Sequence, residues 1–169
     1  MSVPVEIAGR TFTRVHHVAV VVRDIDVALA TWRDLFGLPL ELVLPIAADG
    51  VTIAFLPVGE TKIELVAPTD PATGVARFLE TRGEGFHHVC LEVPELDATL
   101  ADLASRGAEL IDDRARKGAE GPIAFIHPRS CNGLLVELIE APGGPAWSRL
   151  GYDEGVRPGR PTGATDRGD

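Results

Sequence analysis

His17, Glu64, His88 and Glu137 are the residues of this chain best placed to do chemistry, because they form two histidine–glutamate pairs at equivalent points of an internal repeat. From Val15 the chain reads VHHVAVVVRDIDVALATWRDLFGL, and from Phe86 it reads FHHVCLEVPELDATLADLASRGAEL. His17 and His88 stand 71 residues apart (88 − 17), as do Asp26 and Asp97 (97 − 26), and Glu64 and Glu137 stand 73 apart (137 − 64). Both glutamates lie inside apolar runs, KIELVAP and LVELIEAP, where a carboxylate is costly to bury unless it is paired or bound to a metal. A pseudo-twofold relation between the copies would bring all four side chains around one point. Two neutral imidazoles and two carboxylates suit a first-row divalent ion better than Ca²⁺, which prefers all-oxygen sites, or structural zinc, which prefers thiolates. On a six-coordinate ion such a set leaves two positions for a substrate with two oxygens. The chemistry this arrangement suits is Lewis-acid stabilisation of an enolate beside a carbonyl.

Regular elements must position these groups. Residues 15–22 are rich in β-branched side chains and predict a strand. Period-two alternation puts His17 with Ala19 and Val21, and His88 with Cys90 and Glu92, while His16 and His87 fall on the opposite face and are not expected as ligands. Ile63 and Leu65 flank Glu64, and Val136 and Leu138 flank Glu137; these neighbours should point under helices. Asp24 is a candidate N-cap, followed at helical spacing by Ile25, Ala28, Leu29, Trp32, Leu35 and Phe36, with Gly37 past the end. Leu96, Leu100, Leu103, Ala104 and the closing Gly107 repeat this in the second copy. Strands are expected at 40–44, 51–58 and 61–66, and again at 110–112, 123–127 and 133–139. The reading is an α+β fold of two tandem βαβββ modules, 14–69 and 85–142, forming a curved mixed sheet around a central metal-binding cleft. An N-terminal extension (1–13), a connecting helix carrying Val75, Phe78 and Leu79 (70–84) and a disordered Gly- and Pro-rich tail (143–169) complete the chain.

The bulk composition narrows the partners. A formal net charge of −9 argues against nucleic acid, since phosphate contacts need clustered Lys and Arg. The longest apolar stretch, 18–22, is far too short to span a bilayer, and no signal peptide is apparent. Cys90 and Cys131 lack metal-type spacing and read as reduced thiols of a cytoplasmic protein.

The segments HHVAVVV, GVTIAFLPVGETKIELVAP, GFHHVCLEV and KGAEGPIAFIHPRSCNGLLVELIE resemble the vicinal oxygen chelate (glyoxalase/bleomycin resistance) superfamily and, within it, the methylmalonyl-CoA epimerase family. The resemblance covers 15–140 and implies a glyoxalase-like fold, a metal held by His17, Glu64, His88 and Glu137, an acyl-CoA substrate and a homodimer. Co²⁺ is the first choice of ion, with Ni²⁺, Mn²⁺ and Zn²⁺ as alternatives. The implied reaction interconverts the epimers of methylmalonyl-CoA through an enolate, with Glu137 as one proton-transfer group and Glu64 or a water as the other. Some members of the family carry a glutamate at the position of Ile53, so the second group is left open here. Asp49 lies nearby in sequence but fits an Asp-Gly turn. Lys117, His127 and Arg129 are the candidates for binding the substrate carboxylate or the CoA phosphates. Glyoxalase I, extradiol dioxygenases and non-enzymatic drug-binding proteins share the fold and stand as rivals.

Overall fold

Each half of the chain opens with a β-branched run, and each run becomes a central strand of one sheet. In the computed structural model, which describes residues 5–7 and 10–152, a short hairpin of β1 (Val5–Ile7) and β2 (Arg10–Phe12) leads into the first module. That module consists of β3 (Arg14–Val21), α1 (Ile25–Leu29), β4 (Leu42–Ile46), β5 (Val51–Val58) and β6 (Thr61–Pro68). The connecting helix α2 (Gly74–Arg82) is followed by β7 (Gly85–Val93), α3 (Leu96–Ser105), β8 (Arg116–Lys117), β9 (Pro122–Ile126) and β10 (Leu135–Glu140). The βαβββ unit therefore occurs twice. The strand expected at 110–112 contributes only a single bridge, Leu110 to Ile126, and the sheet edge is formed by β8 instead.

All eight strands of the two modules join in the order β4-β5-β6-β3-β7-β10-β9-β8. β3 pairs parallel with β6 and β7 parallel with β10, while β3 and β7 meet antiparallel at the seam. This order reads the same from either end, which is the pseudo-twofold that the repeat implies.

The helices form where the pattern places them. Asp24 accepts a hydrogen bond from the Val27 amide at 2.9 Å and so caps α1. Beyond Leu29 the helix widens to a π-helical segment, Ala30–Leu35, and stops before Gly37, whose φ of 72° is in the left-handed region. Leu65, Leu56 and Ala54 pack with Ile25 and Leu29 beneath α1, and Leu138, Ala124 and Ile126 pack with Leu96 and Leu100 beneath α3. One face of the sheet is thus closed by helices, and the opposite, concave face is left to carry a site.

The expected disorder of 143–169 is corrected at its start; residues 153–169 lie outside the described residues. Pro145–Arg149 form α4, and Trp147 is buried. The buried Glu140 carboxylate accepts from the amides of Leu96 (2.7 Å), Ala146 (2.7 Å) and Trp147 (3.3 Å), so one side chain caps both α3 and α4. Gly144 approaches that carboxylate so closely that a Cβ would clash with it. Tyr152 then reaches back, its hydroxyl donating to the Gly118 carbonyl (2.7 Å) and accepting from the Gly118 amide (2.9 Å). The segment therefore holds the loop between β8 and β9, which borders the site. Among the described residues no helix is long and apolar enough to cross a membrane.

Candidate metal centre

The four central strands each deliver one side chain to the concave face: His17 from β3, Glu64 from β6, His88 from β7 and Glu137 from β10. All four are buried, and one ligand atom from each lies within 4.8 Å of all the others. His17 Nε2 is 3.2 Å from His88 Nε2, 3.1 Å from Glu137 Oε2 and 3.2 Å from Glu64 Oε2; His88 Nε2 is 2.7 Å from Glu137 Oε2 and 3.5 Å from Glu64 Oε2. Donor atoms bound at about 2.1 Å to one ion lie about 3.0–3.4 Å apart in octahedral or tetrahedral geometry. The spacings around His17 Nε2 fall in that range and those from His88 Nε2 to the two carboxylates lie just to either side of it, and the donor set fits a divalent ion.

Charge is concentrated here by design of the neighbours. Burial works against protonation of His17, but Glu64 and Glu137 beside it hold its imidazole well above its ordinary value. Burial likewise opposes ionisation of Glu137, and His17 and His88 overcome this, keeping its carboxyl well below the usual range. Glu137 is therefore an anion at rest. Cys90 is fully buried beside His17, and burial pushes its thiol up to about 12.

Strict alternation misplaces His16 and His87. Val15 pairs with Leu91 and His17 with Cys90, leaving His16 as an extra residue on β3; Ala19 pairs with His88 and Val20 with Phe86, leaving His87 as an extra residue on β7. Each is a β-bulge that turns the extra side chain toward the cavity. His16 Nδ1 is 2.9 Å from His17 Nδ1, and His87 Nδ1 is 2.8 Å from His88 Nδ1. Burial and the neighbouring His17 charge push His16 down to about 3; burial and the His88 charge push His87 down to about 4. Both stay neutral at neutral pH and can accept the Nδ1 proton of the ring beside them. With an ion in place of the Nε2 protons, this would leave both Nε2 lone pairs of His17 and His88 aimed at the common point. The repeated HH pair was the sequence signal for this role.

The quartet lies in a cavity of about 720 Å³. Phe55 and Phe125 meet the edges of His17 and His88 at centroid distances of 5.5 and 5.4 Å, and Ile53 and Ile139 continue the apolar wall. Lys117, His127 and Arg129 are not among the lining residues. Lys117 is exposed over the Tyr152 ring, and His127 and Arg129 gather around Glu109 at 3.9 and 3.2 Å. The cations that do line the cavity are Arg77 and Arg82 of α2 and Arg116 of β8, the last paired with Asp49 at 3.3 Å. Sequence reasoning missed them because only the folded connecting helix brings 77 and 82 to the mouth. It also missed Glu120, a buried carboxylate of the β8–β9 loop that lines the cavity.

A curled sheet of paired βαβββ modules around buried histidines and glutamates defines a class of protein. The sequence model of the Glyoxalase/Bleomycin resistance protein/Dioxygenase superfamily matches residues 16–125. The mitochondrial methylmalonyl-CoA epimerase of Mus musculus is 38% identical over 130 residues, covering 76% of this chain and 73% of the relative. The ethylmalonyl-CoA/methylmalonyl-CoA epimerase of Cereibacter sphaeroides is 38% identical over 128 residues, covering 74% and 96%. A variant of Streptomyces coelicolor methylmalonyl-CoA epimerase in complex with 2-nitronate-propionyl-CoA superposes with a TM-score of 0.75 at 28% identity, covering 79% of this chain and 97% of that one. The chain belongs to this superfamily and, within it, to the methylmalonyl-CoA epimerase family.

Proposed function

We propose that this protein is a methylmalonyl-CoA epimerase, which removes the α-proton of a 2-methylmalonyl thioester and returns a proton to the opposite face. The observation that carries the reading is the convergence of His17, Glu64, His88 and Glu137 within 4.8 Å at the base of a substrate-sized cavity. A divalent ion held there supplies Lewis-acid stabilisation of the negative charge that develops on the thioester oxygen. His17 and His88 present Nε2 to it, oriented by His16 and His87. Glu137, anionic and at the edge of that position, accepts the α-proton. Glu64 completes the charge balance as the second carboxylate of the set. Ile53, Phe55 and Phe125 keep water from the planar anion. Arg77 and Arg82 supply positive charge at the mouth of a chain with net charge −9, where the phosphates of a CoA arm would settle.

The 2-nitronate-propionyl-CoA bound by the Streptomyces coelicolor relative supports this reading, because a nitronate is a planar anion shaped like an enolate. The finer assignments are methylmalonyl-CoA ahead of ethylmalonyl-CoA, Co²⁺ ahead of Ni²⁺, Mn²⁺ or Zn²⁺, a homodimer, and a cytoplasmic setting in keeping with two unpaired thiols. The test is α-proton exchange of methylmalonyl-CoA in D2O, with the apo protein and with added Co²⁺. Metal-dependent deuterium incorporation, lost in Glu137→Gln, is expected. No exchange with any divalent ion, despite tight ion binding, would discard the epimerase reading and bring glyoxalase-type substrates forward.

A further inference from the structure

Inversion through a planar intermediate needs a proton-transfer group on each face. Glu137 serves one face. Ile53, at the position where some members of the family carry a glutamate, is 2% exposed in the apolar wall and holds no proton. Four carboxylates line the cavity among the described residues: Asp49, Glu64, Glu120 and Glu137. Glu64 and Glu137 belong to the quartet, and Asp49 is half-exposed and paired with Arg116. Glu120 remains.

The surroundings of Glu120 are those of an acid held ready. Its side chain is 2% exposed. Oε1 accepts from Lys62 Nζ at 2.6 Å, but the same ammonium stands 2.6 Å from Glu41 Oε2, so one cation serves two carboxylates. Oε2 accepts no hydrogen bond among the described residues and lies 3.7 Å from His16 Nε2. A buried carboxylate oxygen without a donor is costly if ionised, and a proton relieves that cost. Burial accordingly pushes this carboxyl above its ordinary value, with Lys62 opposing. The loop is held in place by the Gly118 amide bonded to the Gly121 carbonyl at 3.0 Å and by the grip of Tyr152 on Gly118. Glu137 sits 3.1 Å from His17 Nε2 and Glu120 3.7 Å from His16 Nε2, so the two carboxyls flank the His16–His17 pair from opposite ends. The buried Glu120 oxygen without a donor favours the acid form, which suits this carboxyl to return the proton on the face that Glu137 does not serve.

We propose that Glu120 is the second acid/base of the epimerisation, facing the side of the α-carbon opposite to Glu137. The inference rests on the epimerase reading. In one direction the α-carbon–hydrogen bond breaks toward the Glu137 carboxylate and its electron pair passes into the thioester enolate. The Glu120 carboxylic acid then gives its proton to the other face, directly or through one water, and a new carbon–hydrogen bond forms. In the reverse direction the roles exchange.

The test compares wild type, Glu120→Gln and Glu120→Asp, each loaded with Co²⁺, on the separate (2R)- and (2S)-epimers in D2O, with Co²⁺ affinity measured in parallel. For Glu120→Gln, epimerisation is expected to fall about 10²- to 10⁴-fold, the usual share of general acid–base catalysis. Deuterium exchange should persist near the wild-type rate for only one epimer, the one whose α-hydrogen faces Glu137, with Co²⁺ affinity unchanged. Glu120→Asp, which keeps a carboxyl at shorter reach, should recover part of the epimerisation. Undiminished epimerisation in Glu120→Gln overturns the proposal, as does equal loss of exchange from both epimers with Co²⁺ binding intact, or no difference between the Asp and Gln variants. A wild-type protein that exchanges neither epimer refutes the epimerase reading instead.

Discussion

Replacing His16 by Phe keeps an aromatic ring in the bulge and removes the acceptor that faces His17. In the folded protein the His16 imidazole is neutral, because burial and the His17 charge hold it at about 3, and its Nδ1 lies 2.9 Å from His17 Nδ1. The proton between them belongs to His17, so that an ion displacing the Nε2 proton would meet the Nε2 lone pair while Nδ1–H stays bonded to His16. Without the acceptor, a hydrogen bond of about 1 kcal/mol is lost and a buried N–H is orphaned at about 1–3 kcal/mol, unless the ring changes tautomer and blocks its own ligand atom. Either route weakens ion binding, and partners of metal-bound histidines are commonly worth about 10- to 100-fold in affinity. A 10- to 100-fold rise in the Co²⁺ dissociation constant is therefore expected, measured by competition with a chelator of known affinity. His16→Gln, whose carbonyl can accept, should recover part of the loss. A dissociation constant for His16→Phe within twofold of wild type, with the apo protein folded, would refute the reasoning.

Arg77→Ala and Arg82→Ala should each raise KM for an acyl-CoA about 10-fold, the worth of one lost charge-assisted contact, with little change in kcat. An acyl-pantetheine without the nucleotide should be insensitive to both, and an equal effect on the two substrates would remove these arginines from the CoA path. Glu92 accepts from Thr13 Oγ1 (2.7 Å), Arg14 Nε (3.1 Å) and Arg14 Nη2 (2.9 Å). Burial opposes its ionisation, but these donors win and lower its carboxyl, so its stabilisation is fully present above the ordinary glutamate range and is lost as pH falls through the lowered folded value. Glu92→Gln should cost about 1–2 kcal/mol at pH 7, screened because Arg14 is partly exposed, with the deficit vanishing in acid denaturant titrations. Trp147→Ala should cost about 3–5 kcal/mol, read from denaturant unfolding, because the indole is buried and its Nε1 donates to the Glu140 carbonyl at 3.1 Å.

The repeat made the quartet legible because a polar side chain inside an apolar strand is conspicuous twice over, at 17 and 88 and at 64 and 137. The neighbours of those glutamates, Leu65 and Leu138, sit under the helices as period-two alternation requires. The same alternation failed at His16 and His87, since a bulge inserts one residue and no single-strand pattern announces it. Trp147 was lost in a Gly- and Pro-rich stretch whose order depends on Glu140, a partner fixed only when β10 is in place. Glu120 was invisible for a related reason: its partner Lys62 lies 58 residues earlier. Lys117, His127 and Arg129 were chosen for their charge, but Lys117 at the end of β8 lies over Tyr152, and His127 and Arg129 beyond β9 lie beside Glu109, outside the cavity lining.

The palindromic strand order bears on stereochemistry. A catalyst that interconverts two forms differing in handedness at one carbon must accept either as substrate, so the groups on its left and right have to be near equals. Two copies of one module, fused head to head across β3 and β7, provide that near-equality from the backbone alone. True identity would be a handicap, because the molecule between the two faces carries further fixed stereocentres in its CoA arm. Here the copies have diverged where it matters: His16 looks toward the Glu120 carboxylate, whereas His87 packs at 5.0 Å against the Phe78 ring of α2. The repeated module thus yields a site balanced enough to serve both configurations of one carbon and lopsided enough to hold the rest of the ligand in one direction.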